Sequence, residues 1–468
     1  MYATKADILG PAKRDPDQVL WDPAMQAADP QQLREVQASR LRDLIAKILG
    51  GPVKLFAEKL RDAGISSADD VCGVAELDQV PLTRKQELRD SEAVAPPWGE
   101  YRFTDPRACV RLGTSTGTTG TPTIILWTRH DLWVEYESAA RNWWRMGYRP
   151  GMIVTHAHPG YLYGGGMMLS GAYEYFGLLT VWVPPPDTDE LAEQGLRFWT
   201  RVKPDIPFMG FSTGRFFEVA KKLGIKPADA GLEFKGLPGF GLGKGMPLMT
   251  AGAECYSFVG GPCGQSPGAH IHEDWAVVQA VDPETGKEVP DGEWGNLVVT
   301  TLDRDNGLLR YDLEEACAIL RDPCPCGETT IRGLWGGRFK DLLCSQGKRF
   351  QVSELESALR SVGEVAEPVL EYQVVRPLDE QAELVVRVEG PFSRGAVDEQ
   401  SGTSELRGVS SSSRVAAESP GAVLDALSIA ERCASAVRDH LGIRAQVEVL
   451  ARGTLPRSGF KATRVVER

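Results

Sequence analysis

Gly113-Thr114-Ser115-Thr116-Gly117-Thr118-Thr119-Gly120-Thr121-Pro122-Thr123 is built only from Gly, Ser, Thr and one Pro. Glycine lets successive backbone N–H groups turn toward one point, and Ser and Thr add hydroxyl donors without bulk, a combination that suits phosphate oxygens. It is not the nucleotide-hydrolase loop, which needs Gly-Lys-Ser/Thr, because Gly120 is followed by Thr121-Pro122. The β-rich flanks, Val110 to Leu112 and Ile124 to Trp127, argue against a plain flexible linker. The spacing therefore predicts strand, polar loop, strand over residues 108–127.

Beyond this stretch, Ile153-Val154 and Leu178 to Val183 read as buried strands with helical stretches between and after them. Alternating strands and helices predict an α/β architecture. Upstream, Asp29-Pro30 opens a helix, since Asp can cap and Pro fits the first turn. Leu33, Val36, Leu41, Leu44, Ile45 and Ile48 recur at helical spacing, and Gly50-Gly51 ends the run. Residues 277–302 hold two β-rich runs separated by the turn signal Asp282-Pro283-Glu284-Thr285-Gly286. After about Arg338 the texture changes to short strands (370–375, 382–388, 445–450) and one helical stripe at Val423, Leu427, Ala430, Ala434, Val437 and Leu441, closed by Gly442. This predicts a small α+β domain. Residues 390–421, rich in Ser, Gly and charge, read as a disordered insertion within it.

The chain has 468 residues, is 42% hydrophobic and 25% charged, and carries a formal net charge of −12. That size predicts more than one domain, and the balance excludes a disordered tail or a disulfide miniprotein. The acidic balance argues against nucleic acid, which wants clustered Lys and Arg, but not against a small anion held by a local loop. The start lacks the charged-then-apolar pattern of a secretory signal, and no apolar run reaches the ~20 residues of a membrane span. A cytoplasmic location without membrane attachment is the expectation. Nine Cys, an odd number in a long chain, argue against a disulfide framework. Cys324 and Cys326 flank a single Pro; on that pair alone, two unrelated thiols in a tight loop are preferred over two metal ligands.

The Thr/Gly loop resembles the nucleotide-phosphate loop of adenylate-forming enzymes, usually SSGTTGxPT, and the chain as a whole resembles the phenylacetate–CoA ligase family. Trp21-Asp22-Pro23 and Pro81-Leu82-Thr83-Arg84-Lys85 are similar to its N-terminal landmarks. His158-Pro159-Gly160-Tyr161-Leu162-Tyr163-Gly164-Gly165 resembles the segment lining its acyl pocket. Pro290-Asp291-Gly292-Glu293-Trp294-Gly295 with Leu297 to Leu302 resembles its PDGExGELVxTTL run. Gly337-Arg338 with Asp341 and Gly347 resembles the interdomain hinge motif, and Leu455-Pro456-Arg457-Ser458 with Lys461 the C-terminal lysine motif. The likeness runs nearly end to end, and the number and order of the motifs carry it.

The resemblance implies a large multi-subdomain N-terminal adenylate-forming domain, residues 1–339, joined by a hinge at Lys340 to a small mobile C-terminal domain, residues 340–468. It implies two half-reactions: a carboxylate attacks the α-phosphate of ATP, and the thiol of coenzyme A then displaces AMP. In those terms Thr114, Ser115, Thr116, Gly117, Thr118, Thr119 and Gly120 hold phosphate, Glu315 and Arg338 approach the nucleotide, Glu254 helps hold Mg²⁺, and Lys461 is the adenylation cation. A hard cation wants carboxylate oxygen, which suits Glu254. Gly347 belongs to the coenzyme A step. Tyr161, Tyr163 and Phe211 line the acyl pocket or are core aromatics. Cys263, His270, Cys324 and Cys326 resemble the zinc site of some members, a closed set of four ligands and hence structural, with His272 as a substitute ligand.

Three departures stand out. Lys235 to Met249 replaces the family's GAEPW segment and following helix; Thr250 and Ala253 replace Tyr and Ser of YGxSE; Glu315 replaces Asp. The leading expectation is an ATP-dependent ligase joining a small aromatic or arylacetic acid to coenzyme A. The alternatives are transfer to a carrier-protein thiol or an amine, and a non-catalytic nucleotide-binding relative, which retention of Glu254, Arg338, Gly347 and Lys461 disfavours. A carrier protein and a homodimer are the protein associations left open.

Overall fold

The computed structural model describes residues 15, 17–115, 122–157, 164–208, 213–231, 249–251, 254–339, 342–366, 370–377, 379, 381–392, 420–456 and 464–467. Two compact units divide the chain, Met1–Trp335 and Gly336–Arg468.

In the larger unit the first long helix, α1 (Pro30–Gly50), begins as its sequence predicts: the Asp29 side chain accepts from Gln31 N at 2.8 Å. Its apolar stripe is buried at Leu33, Leu41, Leu44, Ile45 and Ile48. Together with α2 (Lys54–Asp62) it packs into the largest hydrophobic core, where Phe56, Leu60, Trp275, Val277 and Val299 meet. The next helix, α3 (Lys85–Val94), opens with Glu87 accepting from Arg84 N at 2.7 Å.

Strands β1 (Arg111–Thr114) and β2 (Ile124–Trp127) form an antiparallel pair around the Thr/Gly loop. They lead into α4 (Arg129–Arg145), capped by reciprocal hydrogen bonds between Thr128 and Asp131. This helix is buried on nearly every side, including Asp131, Glu135, Arg141 and Arg145. Charge at such depth is tolerated only when paired. Arg304 accordingly reaches Asp131 at 3.1 Å and Glu135 at 2.9 Å, and Arg141 reaches Asp274 at 2.7 Å.

β3 (Ile153–His156), β4 (Leu179–Trp182) and β5 (Ile206–Phe208) form a parallel sheet in the order β4-β3-β5. Its crossovers carry α5 (Gly164–Phe176) and α6 (Asp189–Val202), the α/β alternation expected from sequence. After α7 (Thr213–Leu223) comes a seven-stranded sheet of β6 (Met249–Ala251), β7 (Tyr256–Pro262), β8 (Ala269–Ile271), β9 (Ala276–Val281), β10 (Gly295–Thr301), β11 (Tyr311–Leu320) and β12 (Arg332–Arg338), ordered β6-β7-β8-β12-β11-β10-β9. The predicted turn between β9 and β10 is present: Asp282 accepts from Glu284 N and Thr285 N, and Gly286 takes φ +69°.

The smaller unit is α+β. β13 (Leu343–Ser345) and β14 (Lys348–Phe350) form a hairpin, followed by α8 (Val352–Arg360). β15 (Tyr372–Val375), β16 (Leu384–Glu389), β17 (Ala445–Leu450) and β18 (Val465–Val466) form a sheet ordered β17-β16-β15-β18, with α9 (Pro420–Leu441) supplying buried Ala426, Ile429, Ala430, Cys433 and Val437 to the core. Gly442 ends α9 at φ +65°, as the sequence predicts. Most of the predicted insertion, residues 393–419, lies outside the described residues.

Candidate active site and metal centre

The β1–β2 pair brings the two arms of the Thr/Gly loop together. Thr114 pairs with Ile124 in the ladder, and the zip continues one step further: Ser115 N donates to Thr123 O at 3.0 Å, and Thr123 N donates to Ser115 Oγ at 3.1 Å. Ser115 is buried and its hydroxyl accepts from the opposite arm, so it closes the base of the loop. Gly113 is there for packing: a Cβ would lie 2.8 Å from Gly164 Cα and 2.9 Å from the Trp127 ring. Thr116, Gly117, Thr118, Thr119 and Gly120 lie outside the described residues.

Where the loop returns to the sheet, both backbone groups of Ile124 are gripped by side chains. Arg102 Nη2 donates to Ile124 O at 2.7 Å, and Ile124 N donates to Glu92 Oε1 at 3.2 Å. Arg102 and Glu92 are themselves paired at 3.3 Å, and Arg102 Nη2 also donates to Tyr101 Oη at 2.7 Å. Tyr101 Oη in turn donates to Glu92. Burial holds the Tyr101 phenol well above its ordinary pKa, so it stays protonated and keeps that donor.

Glu254 follows β6 and shares a small cavity with Tyr101, Arg102, Thr123, Arg304 and Asn306. Its carboxylate is buried and meets Lys85 Nζ at 2.6 Å. Local pairing explains how a residue at the start of α3 arrives there. Thr83 N donates to Arg310 O at 2.8 Å, and Asp312 N donates to Thr83 O at 2.8 Å, so the Thr83-Arg84-Lys85 step is fastened to the start of β11. Helix α3 thus touches Glu254 through Lys85 and the loop arm through Glu92.

Glu315 stands on β11 just past an irregularity. The register with β10 runs Gly295↔Cys317 and Asn296↔Ala316, then shifts to Val298↔Asp312. Glu314 takes φ +55° at the shift, and Asp312 Oδ1 accepts from Glu314 N at 2.7 Å and from Asn296 Nδ2 at 2.6 Å. Such bulges re-aim the side chains that follow them. Neighbouring Arg310 is spent on structure, donating to the carbonyls of Leu77, Val80 and Gly286.

Arg338 ends β12 and is half-buried. Gly347 follows Gln346 in the two-residue turn between β13 and β14, with φ +74° and +52°, a conformation that asks for Gly at the second place. Lys340, Lys461, Tyr161, Tyr163 and Phe211 lie outside the described residues, as do residues 235–248 of the departing segment.

Cys263, His270, Cys324 and Cys326 converge although the sequence spreads them over more than sixty residues: one donor atom from each lies within 4.8 Å of the others. Cys263 Sγ and Cys324 Sγ are 3.6 Å apart, and Cys326 Sγ is 3.2 Å from His270 Nε2. The surroundings suit a thiolate-rich ion. Gln265 N lies 3.5 Å from Cys263 Sγ and Glu328 N lies 3.4 Å from Cys326 Sγ, each two residues on from its cysteine. His270 Nδ1 lies 3.2 Å from Thr330 O, which fixes the proton there and leaves Nε2 to face the thiols. Burial lowers the His270 pKa to about 4, keeping the ring neutral. Three sulfurs and one imidazole match the donor set of a closed tetrahedral zinc site. His272 is buried beside the cluster without belonging to it.

Sequence reading missed Lys85, Glu92, Tyr101 and Arg102 as site residues. Lys85 stood within a recognised landmark, but only the fold shows that it faces Glu254.

No family model matches the chain. A phenylacetate–coenzyme A ligase of Thermus thermophilus is 30% identical over 472 residues, covering 96% of this chain and 99% of that protein. One from Pseudomonas putida is 26% identical, covering 97% and 98%. Among solved structures, 2-hydroxyisobutyryl-CoA ligase in the postadenylation state with its acyl-AMP superposes with a TM-score of 0.76 at 21% identity, covering 98% of this chain and 94% of that one. An open conformation of the same ligase with acyl-AMP and CoA gives 0.68 at 22% identity, covering 98% and 96%.

Proposed function

The chain belongs to the phenylacetate–coenzyme A ligase family, and on that premise we propose that it activates a small aromatic or arylacetic acid as acyl-AMP and passes the acyl group to coenzyme A. Its class is that of an AMP-forming acid–CoA ligase. In the first step a carboxylate oxygen attacks the α-phosphorus of ATP and pyrophosphate leaves. In the second the coenzyme A sulfur attacks the acyl carbon and AMP leaves with the bonding electrons.

The observation that supports this most is the meeting of Glu254 with the returning arm of the Thr/Gly loop, at Thr123, in one cavity. The loop residues Thr114 to Gly120 would cradle phosphate, and Glu254 offers the hard oxygen that Mg²⁺ prefers. A bound Mg²⁺ would neutralise phosphate charge as pyrophosphate departs. Lys461 supplies a further cation, Glu315 and Arg338 hold the nucleoside side, and Tyr161, Tyr163 and Phe211 receive the aromatic acid. Lys340 serves as a hinge through which the smaller unit, with Gly347, takes part in the coenzyme A step. Cys263, His270, Cys324 and Cys326 hold zinc in a structural role; nothing in the reaction passes through it.

ATP-dependent AMP formation with a panel of aromatic acids, with and without coenzyme A, tests the reading. Turnover that requires coenzyme A is expected. Adenylate formation indifferent to it would point to a carrier protein or an amine as acceptor, and no ATP binding with any acid would remove the enzymatic reading.

A further inference from the structure

The Cys3His cluster is joined to the amino-terminal stretch of the chain by one buried carboxylate. Glu328 is 3% exposed and lies two residues past Cys326. Arg145, near the end of α4, grips it from two sides, with Nε donating to Oε1 at 2.8 Å and Nη2 to Oε2 at 2.6 Å. Arg145 Nη1 also donates to Gly261 O at 2.9 Å, two residues before Cys263. On its other side Glu328 Oε2 stands 3.4 Å from His270 Nδ1. The ion pair therefore touches, directly or through two residues of chain, the segments that carry Cys263, His270 and Cys326.

The same carboxylate reaches outward. Gln26 Nε2 donates to Glu328 Oε1 at 2.5 Å. The next residue, Thr329, donates from N to Gln26 O at 3.1 Å and from Oγ1 to Ala28 O at 2.6 Å. Residues 26–28 are thus held to the 324–330 loop by three hydrogen bonds, and nearby Trp21 is buried against Trp144 and Phe176. That loop contributes two of the four thiolate or imidazole ligands, so whatever orders it also orders the seat of residues 26–28.

Resting on the zinc reading above, we propose that Glu328 is a positioning residue that couples metal binding at Cys263, His270, Cys324 and Cys326 to the docking of residues 22–28. Thr330 O takes the Nδ1 proton of His270 while the Glu328 carboxylate backs the ring at 3.4 Å and orders the loop that carries Cys324 and Cys326, and loss of such an outer partner typically weakens metal binding by about 10–100-fold. Because coupling is reciprocal, an ion that holds the loop must also hold what the loop holds.

The test uses the full chain. Hydrogen exchange of the amides of residues 22–28 is followed with zinc bound and after chelation, and cobalt titration of the apoprotein reads affinity through the thiolate charge-transfer bands. Chelation is expected to speed exchange in 22–28 by about tenfold or more, and Glu328→Gln to bind cobalt about 10–100-fold more weakly than the unmodified protein. If Glu328→Gln does not fold, Gln26→Leu carries the test: it leaves all four ligands and the carboxylate in place, yet must weaken cobalt binding by severalfold. Exchange in 22–28 that ignores chelation, or variants that bind cobalt within twofold of the unmodified protein, overturns the coupling alone. A chain that takes up neither zinc nor cobalt overturns the metal reading and the coupling with it.

Discussion

Lys85 Nζ lies 2.6 Å from Glu254 Oε1, joining the first residue of α3 to a carboxylate buried beside the returning arm of the Thr/Gly loop. The two are far apart in sequence, and the pairing depends on Thr83 being fastened to β11 at Arg310 and Asp312. Lys85→Met leaves that carboxylate without its cation in a site shielded from water. An unmet charged group of this kind costs about 1–3 kcal/mol. Adenylation, read as acid-dependent pyrophosphate exchange, should fall by about 10–100-fold, with Lys85→Arg recovering part of it. Exchange at the unmodified rate would dismiss Lys85 from the site.

Arg102 and Glu92 hold both backbone groups of Ile124. Their replacement should loosen the loop without removing any group that touches the acid. Arg102→Met is expected to raise the KM for ATP by about tenfold, roughly the 1.4 kcal/mol of one charge-assisted hydrogen bond, with a smaller change for the acid. An equal rise for both substrates would mean that the whole pocket had collapsed.

Lys461→Ala should suppress adenylation by about 100-fold or more, the scale seen when a preorganised partner to transition-state charge is removed. Thermal melting should shift little. Transfer from preformed acyl-AMP to coenzyme A, measured separately, should survive. Undiminished pyrophosphate exchange would sink the role proposed for this lysine.

Cys324→Ser should abolish the bound zinc, since the hydroxyl of serine is a poor substitute for thiolate. Metal analysis of protein purified without chelator provides the comparison, with about one ion per chain expected before the substitution and none after it. Full retention of zinc in the variant would mean that the ion sits elsewhere.

His130 Nε2 lies 3.1 Å from Asp303 Oδ1 at the start of α4. The hydrogen bond to Asp303 raises the His130 pKa above its ordinary value. Burial pushes Asp303 upward, but the His130 hydrogen bond and Arg40 outweigh it and leave that carboxyl below its ordinary value. A raised histidine stabilises fully below about pH 6.5, and that contribution is lost as pH rises through the raised value; a lowered carboxylate contributes above about pH 3.9 and is lost on acidification. The pair is therefore strongest between about pH 4 and 6.5. Thermal melts of the unmodified protein and His130→Gln should differ most in that window and converge in mild alkali. A constant difference across pH would assign the effect to packing.

Much of the architecture was legible in the chain because it is local. The Asp29 cap, the apolar stripe of α1, the Asp282 turn and the Gly442 stop each depend on a few neighbouring residues, and each forms where the pattern places it. The motif order likewise sufficed to indicate the family. Helix α4 was not legible: no local pattern marks Asp131, Glu135, Arg141 and Arg145 as interior, yet partners distant in sequence bury them all.

Residue type and order alone carried the paired strands flanking the Thr/Gly run and the α/β alternation, whereas Cys263, His270, Cys324 and Cys326 stood out as a set only through the family resemblance. The packed fold was needed to bring those four donor atoms within 4.8 Å of one another, to set Lys85 against Glu254, and to tie the cluster through Glu328 to Gln26. These are long-range pairings. They arise when sheets and helices stack and buried charges must find partners or pay heavily for desolvation, a selection that no local pattern encodes.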